Sequence, residues 1–183
     1  MIRSLTEKGY LDSTEYLNED GSLKEGAAFY IHHTYPNGNF ELLAIDTESS
    51  NAQEKKNAEN ARIFMTALFD EYLSGEDPLF TASAVSAGVD EYWDKSNKEA
   101  FRSYMNFMND LLGKDGYGKE VRMWGALSLF PGNTEVSKDI TLEIWNCTED
   151  DPIARIRDGF HVINIPQPYL YTTPGRYHKD MIR

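Results

Sequence analysis

Cysteine is nearly absent from the sequence, and long apolar runs are absent altogether. Cys147 is the one cysteine, so the chain cannot form an internal disulfide or a cysteine-based zinc site. No stretch approaches the roughly 18 to 20 consecutive apolar residues of a membrane-spanning helix, and the first residues lack the apolar region of a signal peptide. These absences predict a cytoplasmic protein that does not associate with membranes.

Basic residues are also scarce. The 183-residue chain has 18 Lys and Arg against 30 Asp and Glu, which gives a formal net charge of -12. A negative molecule repels the phosphates of nucleic acids, so direct binding of DNA or RNA is not expected. The same charge favours a protein partner with a basic surface.

Internal repeats, low-complexity tracts and long linkers are missing as well. We therefore expect a single α+β domain over residues 1–183. Residues 1–26 are polar and rich in turn formers, and residues 166–183 contain too many prolines for a regular element. The first segment is predicted to be a short helix or an arm, and the second an irregular C-terminal arm.

The clearest local pattern is an N-terminal β-hairpin. Residues 27–35 and 40–47 are rich in strand formers, and Asn37-Gly38 between them is typical of a two-residue turn. Such a turn places His33 opposite Leu42 and Ile31 opposite Ala44.

Apolar periodicity changes to a helical spacing after the hairpin and returns to strands later. Three central helices are predicted over residues 51–73, 81–94 and 96–112. Strands are predicted over residues 120–130, 138–147 and 159–165, with Pro131-Gly132-Asn133 as a turn between the first two. The expected order is ββαααβββ, with the C-terminal strands antiparallel and all strands in one sheet packed by the helices.

One short motif suggests metal chemistry. Residues 43–48 are an apolar run that ends in Asp46 and Glu48, and this run resembles the first motif of the DEDD exonucleases. The resemblance covers about six residues and implies that the two carboxylates help to hold metal ions that activate water. The alternative interpretation is that both acids follow a strand and precede a helix start, where turn chemistry and the helix dipole favour them.

A second motif suggests metal-free phosphoester chemistry. His32-His33-Thr34 lies on the first predicted strand and contains the sequence His-x-Thr, which resembles half of the motif of the 2H phosphoesterases. The resemblance implies a second histidine as general acid, and His161 is the candidate, although Ile163 stands where that family has a hydroxyl residue. The alternative is that the adjacent histidines are one half-buried and one exposed residue of a strand.

Acidic and aromatic residues supply the preferred hypothesis. Acids concentrate along and after the first long helix, and tyrosines occur in the C-terminal arm, where they could dock on another surface. The partner-binding candidates are Glu54, Glu59, Asp70, Glu71, Glu76, Asp77, Asp90, Glu91, Asp94, Tyr169, Tyr171 and Tyr177.

The sequence therefore favours a small acidic, non-catalytic protein-binding domain. Such a domain would act as an inhibitor or regulator of the viral or mobile-element type and would engage the basic surface of a partner. No cofactor or metal is expected, and homo-oligomerisation stays open. The alternative is a phosphoesterase or nuclease that uses Asp46 and Glu48 with metal, or His32 or His33 with His161.

Overall fold

The computed structural model describes residues 1–34, 41–89 and 91–170. The chain divides into two compact units, of which the first spans Met1–Thr81 and the second begins at Ala82. Over the described ranges, no helix is both long and apolar enough to cross a membrane. The expectation of a single domain over residues 1–183 stays a prediction.

The first unit combines three helices with a two-stranded antiparallel sheet. Its elements are helices Ile2–Glu7 (α1) and Ser13–Tyr16 (α2), strands His32–Thr34 (β1) and Glu41–Leu43 (β2), and helix Ala52–Leu73 (α3). Leu5, Leu11, Tyr16 and Phe29 form its buried cluster, against which apolar residues of α3 pack. Helices α1 and α2 therefore pack into the body of the first unit through Leu5 and Tyr16.

The hairpin register is confirmed. His33 lies opposite Leu42 in the β1–β2 ladder, and the Ala44 amide donates to the Ile31 carbonyl at 2.9 Å. Both pairings follow from the predicted turn at Asn37-Gly38, which itself lies outside the described residues.

Helix α3 agrees with the predicted helix over residues 51–73 and holds the hairpin through two buried asparagines. Asn57 Nδ2 donates to the His32 carbonyl at 2.9 Å, and Asn60 Nδ2 donates to the Tyr30 carbonyl at 3.0 Å. A buried amide is stable only when it is hydrogen-bonded, so these two contacts fix the β1 edge on the helix.

The described part of the second unit contains four strands and three helices. Its elements are strand Ala84–Ser86 (β3), helix Lys98–Leu112 (α4), strands Glu120–Trp124 (β4) and Thr141–Ile144 (β5), helix Pro152–Arg157 (α5), strand His161–Asn164 (β6) and helix Gln167–Leu170 (α6). The strands form one four-stranded sheet in the order β3-β4-β5-β6, and every neighbouring pair is parallel.

The predicted order ββαααβββ, the antiparallel C-terminal strands and the single sheet are therefore wrong. Residues 84–86 form a strand where a helix over 81–94 was expected, and α5 was not predicted. Residues 125–140 and 145–160 each connect one strand to the next, and a dozen or more residues suffice for a parallel crossover.

The parallel sheet has one apolar and one polar face. Val121, Met123, Leu142 and Ile144 are buried and share a face by register, and α4 packs near β4. The opposite face carries alternate residues of the same strands, including Ser86, Arg122, Trp124, Thr141, Glu143 and His161. We call these six residues the polar face.

Residues 131–134 are not a hairpin turn but a loop held by the first turn of α4. Glu99 accepts hydrogen bonds from the amides of Asn133 and Thr134, both at 2.7 Å. The pKa of Glu99 is lowered from its ordinary value to about 2. The largest cause is a hydrogen bond from the Thr134 side chain, and the two amide hydrogen bonds follow. The ionised carboxylate therefore stabilises the loop.

This anchor predicts a specific acid response. Because the folded pKa is depressed, the contribution of Glu99 is present above its ordinary pKa of about 4.5 and is lost as the pH falls towards about 2. The Glu99→Gln variant is expected to unfold more easily than wild type at pH 7, with a difference that shrinks through this interval. Urea unfolding at several pH values measures it, with Glu135→Gln as the control for the lost charge. A difference independent of pH would contradict the anchor.

Candidate functional site

Four strand ends meet at one edge of the second unit. The ladder continues past the strands, because Trp124 N donates to the Gly88 carbonyl at 2.9 Å and Gly125 N to the Glu143 carbonyl at 2.8 Å. Ile165 N donates to the Ile144 carbonyl at 2.8 Å in the same way. We call residues 87–89, 91–93, 124–126, 145–147 and 164–167 the carboxyl edge, which is where parallel α/β sheets carry their functional residues.

The turn after β3 has a strained backbone. Gly88 has φ 74°, and Val89 and Glu91 have φ 71° and φ 50°, the two positive values among the non-glycine residues described. A positive φ in a β-branched residue such as Val89 is a genuine outlier and costs free energy. Strain of this kind clusters at functional sites, and Glu91 is an exposed residue of this turn.

Two of the three tryptophans lie at strand ends of this sheet, and the third follows the turn after β3. Trp124 is the last residue of β4, Trp145 directly follows β5, and Trp93 follows the strained turn after β3. Trp124 and Trp145 are half-buried, whereas Trp93 is 51% exposed. Flat aromatic faces next to a carboxylate suit a ligand that has both apolar and hydroxyl-bearing surfaces.

The segment that carries Glu91 is anchored by an aromatic cluster beneath it. The Phe101 and Phe130 rings stack with centroids 3.7 Å apart, and the Tyr92 ring lies 6.1 Å and 6.4 Å from them. Lys95 Nζ sits 4.5 Å over the Phe130 ring and donates to the Tyr92 carbonyl. Burial lowers the pKa of Lys95.

The loop after β4 is fixed by a buried carboxylate from the loop after β5. Asp150 is 1% exposed and accepts from Leu127 N at 3.0 Å and Ser128 Oγ at 2.8 Å. Arg155 Nε lies 3.4 Å from Asp150 Oδ1. A Cβ on Gly125 would meet Ile144 Cγ1 at 2.7 Å, so this position next to Trp124 has room only for glycine.

The predicted metal pair, Asp46 and Glu48, lies in a turn of the first unit. Asp46 Oδ1 accepts from the Glu48 amide at 3.0 Å, as in an Asx turn. Among the described residues no group of three or more potential ligands could hold a metal ion. This contact agrees with the turn interpretation of Asp46, and the nuclease alternative stays a prediction.

The predicted histidines lie in different units. His33 Nδ1 lies 2.8 Å from Glu54 Oε2, and the His32 ring meets the Tyr30 ring edge-on at 5.5 Å. His161 is exposed in β6. His32 and His33 belong to the first unit and His161 to the second, so no single unit contains the predicted acid and base pair.

Several partner-binding candidates of the first unit are engaged within that unit. Glu54 contacts His33, Asp70 accepts from the Tyr10 hydroxyl, and Glu71 pairs with Lys8. Burial, followed by the Asp70 contact, raises the pKa of Tyr10 to about 12. Glu59, Glu76 and Asp77 are exposed.

The partner-binding candidates of the second unit differ in exposure and in hydrogen bonding. Glu91 is exposed at the carboxyl edge, and Asp94 Oδ1 accepts from Ser96 N at 2.9 Å. Tyr169 is 84% exposed in α6. The remaining candidates Asp90, Tyr171 and Tyr177 lie outside the described residues.

Sequence reasoning missed the carboxyl edge as a site. Glu91 was predicted only as one of the partner-binding candidates, and Trp124 and Trp145 were not among the predicted site residues. A usable signal was present, because each of three short apolar runs ends in or near a tryptophan. That signal becomes a site only when the strands are parallel and their ends meet.

Comparison with known proteins finds no protein-family model that matches the chain. A curated relative, lacto-N-biosidase of Bifidobacterium bifidum, is 26% identical over 151 residues. The match covers 70% of this chain and 13% of that protein. The chain is thus similar to a short part of a glycosidase.

Proposed function

We propose that the second unit binds saccharides at its carboxyl edge and contributes Glu91 to the cleavage of a glycosidic bond. The observation that carries the proposal is the exposed Glu91 on a strained turn at the end of a parallel strand, with tryptophans at the neighbouring strand ends. Its likeness to part of a lacto-N-biosidase supports a saccharide as ligand.

Glycoside hydrolysis needs carboxylic acids rather than a cofactor. One acid protonates the leaving oxygen of the scissile bond, and water takes the place of the leaving group on the anomeric carbon. In most glycosidases a second carboxylate activates this water, or first attacks the carbon and is then released by the water. Glu91 is exposed and can reach a ligand, and Asp90 precedes it directly in the sequence. We assign the general acid to Glu91.

The tryptophans would bind the sugar rings. A pyranose ring has an apolar face of C–H groups that packs on an aromatic ring, while its hydroxyls need polar partners. Trp93, Trp124 and Trp145 are the platforms, and Asn146 and Asn164 are amides at the same edge. The combination fits a neutral saccharide better than a phosphoester, since no basic cluster is found among these residues.

The acidic protein-binding domain remains a second proposal for the first unit. It is supported by the net charge of -12 and by the exposed Glu59, Glu76 and Asp77. A basic protein partner and a cytoplasmic location belong to this proposal. The internal contacts of Glu54, Asp70 and Glu71 reduce the anionic surface that such a partner would meet.

The experiment combines binding and hydrolysis on the 183-residue chain. Tryptophan fluorescence is followed during titration with lacto-N-biose, other neutral disaccharides and a basic peptide. Release of nitrophenol from the corresponding aryl glycosides measures cleavage. Saturable quenching and turnover with one saccharide support the proposal. Failure of every saccharide both to bind and to be cleaved would overturn it, and binding of the basic peptide alone would favour the second proposal.

A further inference from the structure

The polar face has an organised carboxylate directly below the carboxyl edge. Glu143 is half-buried in β5 and pairs in register with Trp124 of β4. In a parallel sheet such register partners project from the same face. The Glu143 carboxylate and the Trp124 ring therefore lie side by side in the layer nearest to the edge.

Two neighbouring strands orient this carboxylate. Ser86 Oγ, at the end of β3, donates to Glu143 Oε2 at 3.0 Å and so reaches across β4. Arg122 of β4 pairs with Glu120 through Nε at 2.8 Å. The hydrogen bond to Glu120 is the largest of the effects that raise the pKa of Arg122, and the negative charge of Glu143 is a smaller one. Over the described ranges, Glu143 Oε1 accepts no hydrogen bond.

We propose that Glu143 is a specificity-determining residue whose carboxylate accepts hydrogen bonds from hydroxyls of one neutral sugar stacked against Trp124. This inference rests on the proposed saccharide function and names the class of sugar. An ionised carboxylate binds hydroxyl donors strongly, because charge-assisted hydrogen bonds are about twice as strong as neutral ones. The same charge repels a sulfate or carboxylate on the ligand, so the site selects neutral sugars over acidic ones.

Ser86 is a positioning residue in this arrangement. Its hydroxyl fixes one oxygen of Glu143 and turns the other towards the ligand. Loss of the hydroxyl leaves the charge of Glu143 in place but frees its rotamer, so Ser86→Ala should weaken binding less than Glu143→Gln.

The test measures the Kd of the full chain for lacto-N-biose and for a sulfated form of the same disaccharide. Glu143→Gln is expected to weaken binding of the neutral disaccharide roughly tenfold and to reduce the preference over the sulfated one, since a neutral amide replaces a charged acceptor. Ser86→Ala is expected to weaken binding about threefold. The control is Asp139→Asn, which removes an exposed charge before the amino end of the same strand and should bind like wild type.

The outcomes separate this inference from the function on which it rests. If wild type binds the disaccharide and both Glu143→Gln and Ser86→Ala bind it like Asp139→Asn, the role of Glu143 is refuted and the proposed function stands. If wild type binds no saccharide, both fail. Circular dichroism checks that each variant folds, and Ser86→Ala decides the matter should Glu143→Gln not fold. An unchanged kcat with a raised KM in Glu143→Gln further separates binding from chemistry.

Discussion

Replacement of Glu91 by Gln is expected to lower the rate of glycoside cleavage by roughly 10²–10⁴-fold, the usual contribution of a general acid. The amide has nearly the shape of the carboxylic acid but cannot transfer a proton to the leaving oxygen. Binding through the tryptophans should persist, so the loss is expected in kcat, with little change in Kd. The measurement is aryl glycoside turnover together with fluorescence titration.

The matched control for Glu91 is Glu59→Gln, which removes one exposed carboxylate from α3 of the first unit. It changes the net charge by the same amount and should leave turnover within a factor of two of wild type, because Glu59 is not a residue of the proposed site and its exposed charge is screened by salt. Equal turnover of Glu91→Gln and Glu59→Gln would remove Glu91 from the chemistry.

The second large effect concerns stability. Asp150→Asn is expected to lower the free energy of unfolding by about 3 kcal/mol, the low end for breaking a buried ion pair by changing one partner. The new amide cannot accept from Leu127 N, Ser128 Oγ and Arg155 at once, since one of its two polar atoms is a donor. Urea unfolding followed by tryptophan fluorescence measures the loss.

The second ion pair of Arg155, with Asp158, provides the control for Asp150→Asn. Its Nη2 lies 3.3 Å from Asp158 Oδ2, and the Asp158 side chain is 50% exposed. Asp158→Asn therefore breaks an ion pair of the same arginine near the surface and should cost less than about 1 kcal/mol. Similar losses in the two variants would mean that burial of Asp150 does not set the strength of the contact.

The elements that the sequence predicted well are those with strong local patterns. Helices α3 and α4 have continuous helical periodicity, with Ala61, Met105 and Met108 among their buried residues. The Asn37-Gly38 sequence predicts the register in which the hairpin strands pair. Residues 81–94 have helical spacing too, yet the backbone of 84–86 pairs with β4 and the following turn takes positive φ. Tertiary hydrogen bonding has overridden the local preference there.

Strand direction and the site could not be predicted for a shared reason. Pro131-Gly132-Asn133 has the composition of a hairpin turn, but Glu99 of α4, far away in the sequence, holds the segment in a crossover. With antiparallel strands, Glu91, Trp124 and Trp145 would have been distributed over both ends of a sheet. Only the parallel pairing puts the carboxyl ends of β3, β4 and β5 at one edge, and that pairing depends on long-range contacts that are not visible in any local pattern.

The unequal lengths of the crossovers bear on how the sheet assembles in time. Residues 87–119 separate β3 from β4, about twice the chain that separates β4 from β5 or β5 from β6. Closure of the longer segment carries an extra entropic penalty of about 0.6 kcal/mol. We therefore expect β4, β5 and β6 to pair early in refolding and β3 to dock last, so that the turn bearing Glu91 acquires its conformation only at the end of the process.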